Sequence, residues 1–174
     1  SGFWAFTLVL LALALSGYGM REALRVPPVR EVRMQVPRLP DALNGFRIAQ
    51  LSDLHIGPTF GKAWLTDVVA RTDSLNPDLI VITGDVVDGS PSRLEEDVAP
   101  LADLKAKYGV IFAPGNHEYY SGIQQWLPVF QRLGMHVLMN ENTQIRVNGT
   151  PLAIAGATDT AALNWGLEGP DPEK

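Results

Sequence analysis

Three short apolar runs, each closing on acidic, histidine or asparagine side chains, restrict the folds open to this chain. Phe46–Leu51 leads into Ser52-Asp53-Leu54-His55, and Leu79–Ile82 into Thr83-Gly84-Asp85-Val86-Val87-Asp88. Val110–Ala113 leads into Pro114-Gly115-Asn116-His117-Glu118. The second and third runs lack polar alternation, as expected of strands covered on both faces. Between them lie stretches of helical spacing. Trp64, Leu65, Val68 and Val69 mark a helix over 61–74, and Ser92 with Glu95 forms a capping-box pattern for a helix reaching Lys107. A third helix is expected over Ile123–Leu133, bent at Pro128. Strands alternating with helices give a mainly parallel sheet with helices on its faces, an α/β fold. Such sheets bind ligands at the carboxyl ends of their strands, where all three clusters stand. Further strands are expected at His136–Met139, Gln144–Val147 and Leu152–Ala155, with Asn148-Gly149 as the hairpin turn between the last two.

The chemistry of the clusters points to metal. With no cysteine in the chain, a metal site must use oxygen and imidazole ligands. Asp53 and His55 are two apart, so in extended chain both project to one side. Gly84 lets the backbone turn tightly and bring the Asp85 carboxylate inward, and Asn116 offers a neutral carbonyl oxygen. This donor set suits manganese, iron, zinc or magnesium. Two divalent cations bring more positive charge than Asp53 and Asp85 offset, and the surplus attracts a phosphate. A pair about 3.5–4 Å apart would polarise phosphorus and make hydroxide from a bridging water at neutral pH. Asp85, in the middle cluster, is the choice for the carboxylate that bridges both ions. His117 could hydrogen-bond a phosphoryl oxygen or protonate the leaving alkoxide. Each cluster alone has a blander reading as a turn, cap or surface loop. All three at strand ends, in this order, make chance a poor explanation.

Ahead of these clusters, Phe3–Met20 carries no charge. That length of helix spans roughly 27 Å, close to a bilayer's hydrocarbon core. Trp4 and Tyr18 sit near its ends, and Arg21 and Arg25 follow. We read 3–20 as a transmembrane helix, in preference to a buried helix or a signal-peptide core. Residues 21–44 then form a basic, proline-rich linker around one short strand, where Val32, Met34 and Val36 alternate with polar residues. Residues 45–174 are expected to form the folded region that carries the three clusters. The positive-inside tendency favours a cytoplasmic domain on the inner membrane. A net charge of −5 argues against nucleic-acid partners.

The motifs Asp53-x-His55, Gly84-Asp85-x-x-Asp88 and Gly115-Asn116-His117-Glu118 resemble the first three signatures of the calcineurin-like metallophosphoesterases. The wording around Asp53 and Asp85 is similar to that of the family's bacterial membrane-associated branch. The resemblance implies a two-sheet sandwich flanked by helices. It implies that Asp53 and His55 bind one divalent ion, Asp85 bridges two, Asn116 binds the second and His117 is catalytic. Asp88 would orient the site without touching metal, and Glu118 would be structural. The implied function is metal-dependent hydrolysis of a phosphomonoester or phosphodiester, and the tether favours a lipid-linked substrate. The competing reading is a membrane-tethered scaffold without activity. The family's later histidine motifs, including Gly-His-x-His, have no counterpart here, and His136 reads as a structural strand histidine. The chain is therefore expected to be the N-terminal part of its domain, with weak metal binding and little turnover alone.

Overall fold

The computed structural model describes residues 2–171 and Glu173, in two units that divide between Glu31 and Val32. The first contains α1 (Gly2–Ala23), 22 residues long and so about 33 Å. It is long and apolar enough to cross a membrane, and none of its side chains is buried. Thr7 spends its hydroxyl inside the helix, donating to the Phe3 carbonyl at 3.0 Å. The helix therefore presents almost no polar group along its apolar stretch.

The second unit is built on a four-stranded parallel sheet: β1 (Ile48–Leu51), β2 (Leu79–Ile82), β3 (Val110–Phe112) and β4 (Met135–Val137), side by side in chain order. The crossovers contain α2 (Lys62–Ser74), α3 (Pro91–Val98), and α4 (Asn116–Tyr120) with α5 (Ile123–Arg132). Right-handed crossovers between successive neighbours place their helices on one face of the sheet. There Phe112 meets Phe130 at 4.5 Å between ring centroids, and Phe130 stacks on Trp126 at 5.3 Å. The other face is covered by an antiparallel hairpin, β5 (Glu141–Val147) and β6 (Thr150–Gly156). Ile145 and Ile154 pack there against Leu79, Ile111 and Leu138. The Asn148-Gly149 turn has φ of 49° and 88°, the left-handed pair a two-residue hairpin needs. The result is a two-sheet α/β sandwich with flanking helices.

Three expectations need correction. Val32–Val36 forms no strand; Val32 and Met34 are 69% and 79% exposed. Alternation defines a strand only where a neighbouring strand pairs with it, and among the described residues no strand pairs with this run. The helix expected from Ser92 to Lys107 starts instead at Pro91, with Ser90 in the cap position, and ends at Val98. Pro100 lacks the N–H that α-helix continuation requires, and the chain passes into a 3-10 turn over Ala99–Asp103. His136 lies on β4 opposite Ile111, as a strand position, but its side chain faces solvent on an edge strand and is not part of a buried network.

Candidate metal centre

The loops after β1 and β2 are zipped together beyond the end of the sheet. Thr83 N–H donates to Leu51 O at 3.0 Å, Asp53 N–H to Gly84 O at 3.2 Å, and His55 N–H to Asp85 O at 3.0 Å. Ile56 N–H to Val86 O at 2.8 Å and Asp88 N–H to Ile56 O at 2.9 Å complete the ladder. The two acidic loops are therefore held edge to edge.

Within that ladder the backbone is strained at three positions. Asp53, His55 and Asp85 have φ of 55°, 44° and 54°, a region that side-chain-bearing residues seldom occupy. This corrects the expectation that an extended chain aims Asp53 and His55 to the same side. Left-handed turns, not the strand period, bring them together. Asp53 Oδ1 lies 3.9 Å from His55 Nε2, and ligand atoms of Asp53, His55 and Asp85 all fall within 4.8 Å of one another. Ser52 Oγ hydrogen-bonds Asp53 Oδ2.

The third loop is clamped onto the second. Gly84 has φ +85°, and a Cβ there would lie 2.0 Å from Gly115 N. A Cβ on Gly115 would lie 2.3 Å from Asp85 Oδ1. Neither glycine can carry a side chain in this arrangement. Fully buried Glu118 supplies the clamp: Oε2 accepts from Asp85 N at 2.9 Å and Gly115 N at 2.8 Å, and Oε1 from Val86 N at 2.7 Å. Burial pushes the Glu118 carboxyl above its ordinary value, and the three amide bonds hold that rise back. The backbone N–H of His117 donates to Asp85 Oδ1 at 2.9 Å.

The clamp brings the Asn116 carboxamide to 3.1 Å from Asp85 Oδ2 and 3.2 Å from Oδ1. Without a cation only the amide NH2 can face a carboxylate there, whereas a cation held by Asp85 would draw the carbonyl oxygen round instead. Carboxylate, imidazole and amide donors on strained backbone fit a divalent ion. A second cluster joins the first: Asp88 Oδ1 bonds His55 Nδ1 at 3.0 Å and His117 Nδ1 at 2.6 Å. The two rings meet edge to face at 4.5 Å. The hydrogen bond to Asp88 raises the His55 pKa above its ordinary value, against an opposing effect of burial. Burial pushes Asp88 up, but its bonds to the two rings outweigh this and its pKa is lowered.

The five residues singled out in the sequence, Asp53, His55, Asp85, Asn116 and His117, therefore converge on one edge of the sheet. What the sequence did not disclose is that one Asp88 oxygen carries both histidine rings, and that one Glu118 side chain binds amides of two loops. The Asp-x-x-Asp spacing was the available signal for the first. No periodicity reports the second. Of the neighbouring tyrosines, Tyr119 is core, whereas Tyr120 is 56% exposed with its ring edge-on to His117 at 5.5 Å.

Comparison with known proteins finds the same region. The family model described as calcineurin-like phosphoesterase matches residues 46–165. A zebrafish (Danio rerio) protein named "Transmembrane protein with metallophosphoesterase domain" is 36% identical over 172 residues, 95% of this chain and 39% of that protein. A bovine (Bos taurus) protein of the same name is 37% identical over 175 residues, again 95% and 39%. An uncharacterized metallophosphoesterase of Campylobacter jejuni is 32% identical over 166 residues, 95% of this chain and 42% of its own length. The chain thus spans about two fifths of the length of these relatives. No solved structure matches it.

Proposed function

Because this chain belongs to the calcineurin-like phosphoesterase family, we propose that it supplies ligands to a dinuclear, metal-dependent centre that hydrolyses a phosphomonoester or phosphodiester. Asp53 and His55 would hold one ion, Asn116 the second, and Asp85 would be shared between them. Manganese, iron, zinc and magnesium all suit the donors. The observation that carries this reading is the contact between the Asn116 carboxamide and the Asp85 carboxylate, between loops that are strained and clamped.

When bound, such a pair supplies Lewis acidity toward phosphorus and lowers the pKa of water. The rest of the chemistry falls to side chains. Asp88 accepts from Nδ1 of both histidines, which fixes each ring's orientation and leaves Nε2 as its working nitrogen. For His55 that nitrogen would be the metal ligand. For His117, the catalytic residue of this reading, Nε2 is the nitrogen left to hydrogen-bond a phosphoryl oxygen or to serve the departing alkoxide. The strain at Asp53, His55 and Asp85 pre-sets the ligands, so no loop ordering has to accompany binding.

We place the protein at the inner membrane through α1, with the phosphoesterase region on the cytoplasmic side behind Arg21 and Arg25 and a lipid-linked phosphoester as substrate. The length and apolarity of α1 and the relatives' transmembrane names support the membrane location. The test is Asp85→Asn in the full-length protein. Hydrolysis of bis(4-nitrophenyl) phosphate with manganese should fall by roughly 10²–10³ or more, with loss of bound metal. Wild-type turnover no greater than that of Asp85→Asn, with no metal bound by either, would leave the scaffold reading in its place.

A further inference from the structure

Among the described residues the His117 side chain makes one hydrogen bond, from Nδ1 to Asp88 Oδ1 at 2.6 Å. That bond selects Nε2 as the outward nitrogen, and the tilt of the ring about it is left to whatever packs against the imidazole. Two rings do so. His55 meets His117 at 4.5 Å between centroids with the planes 85° apart, and Tyr120 meets it at 5.5 Å and 65°. Both are edge-to-face contacts, an arrangement aromatic pairs prefer.

The fold does not need the Tyr120 side chain for itself. Residues 117 and 120 stand one turn apart on α4 and so share a face. Their neighbours hold the backbone that projects them. Glu118 grips the Gly115 amide, Tyr119 packs in the core beside Ile123, Ala161 and Ala162, and Ser121 Oγ donates to Val87 O at 3.0 Å. Tyr120 itself is largely exposed, and its hydroxyl makes no hydrogen bond among the described residues. What it does contact is the imidazole, through its ring. Core packing does not explain an aromatic side chain left outside the core; a contact that steadies a histidine does.

We propose that Tyr120 is a positioning residue for His117: its ring, together with that of His55, confines the imidazole so that Nε2 keeps one direction. The proposal rests on the phosphoesterase reading above, since Tyr120 acts only through His117. The aromatic ring carries the effect, and the hydroxyl does not.

Two measurements on the full-length protein test it: hydrolysis of bis(4-nitrophenyl) phosphate with manganese, and NMR of the metal-free protein labelled at histidine and tyrosine. Tyr120→Ala should lower kcat about 3–10-fold, the range of one aromatic pair, with KM and manganese affinity unchanged. Tyr120→Phe, which keeps the ring, should hold kcat within about twofold of wild type. In a His117→Ala background, Tyr120→Ala should change nothing further. In the spectra, NOEs should join the Tyr120 and His117 rings in the wild type, and the His117–His55 NOE should weaken in Tyr120→Ala. An unchanged kcat, a raised KM with kcat intact, or an equal loss in the His117→Ala background would overturn the positioning role. So would the absence of a Tyr120–His117 NOE. If the wild type hydrolyses no phosphoester, or Asp85→Asn hydrolyses it as well, while the NOEs stand, the phosphoesterase reading fails and the kinetic role with it.

Discussion

Replacing Glu118 by Gln changes one atom and tests how the loops are held. The carboxylate accepts three N–H bonds, two on Oε2 and one on Oε1. A carboxamide has one oxygen. Its better orientation sets that oxygen against the Asp85 and Gly115 amides and turns the NH2 toward Val86 N–H, donor facing donor. One charge-assisted bond is lost, worth about 1.5–3 kcal/mol, and the remaining two become neutral and weaken. Relief of the buried charge returns part of this, leaving a net loss of about 2–4 kcal/mol. With a urea dependence of about 1–3 kcal/mol per molar, the unfolding midpoint should fall by about 1–2 M.

The variant should also change the pH profile. Glu118 has a folded value raised above 4.5, so the unfolded chain loses this proton first as pH rises. Its effect on stability is therefore most favourable below 4.5 and declines as pH climbs through the raised value. Glu118→Gln removes that decline. The measurements are urea unfolding at several pH values and manganese affinity. An unaltered midpoint with unaltered affinity would refute the clamp.

Two further outcomes follow. Gly84→Ala would force a Cβ to 2.0 Å from Gly115 N at a φ that alanine resists, so the variant should lose several kcal/mol or fail to fold. Thermal unfolding checks this, and a wild-type midpoint would contradict the close approach. His55 is raised above 6.5 chiefly by its bond to Asp88. In the metal-free protein its stabilisation is complete below 6.5 and is lost as pH rises through the raised value, whereas metal affinity, which needs the neutral ring, rises over the same window. Asp88→Asn should move the midpoint of metal affinity against pH downward, as read by manganese titration.

Much of this architecture is legible in the sequence because its determinants are local. Uninterrupted apolar runs at Leu79–Ile82 and Val110–Phe112 had to be covered strands, and Gly84 before Asp85 announced a turn only glycine permits. Asn148-Gly149 specified its own hairpin. The failures belong to interactions with distant partners. The Val32–Val36 run alternates correctly but pairs with no strand among the described residues. The left-handed turns at Asp53 and His55 are imposed by the ladder to the β2 loop, and no residue in that stretch announces them. The reach of Glu118 to amides more than thirty residues upstream is likewise a tertiary event.

The central claim is that three strand-end loops converge on a metal pair. Manganese-soaked crystals of the full-length protein, measured at the manganese absorption edge, test it most directly. Two anomalous peaks about 3.5–4 Å apart are predicted, one beside Asp53 and His55, the other beside Asn116, with Asp85 between them. A single peak, or peaks away from these side chains, would contradict the account.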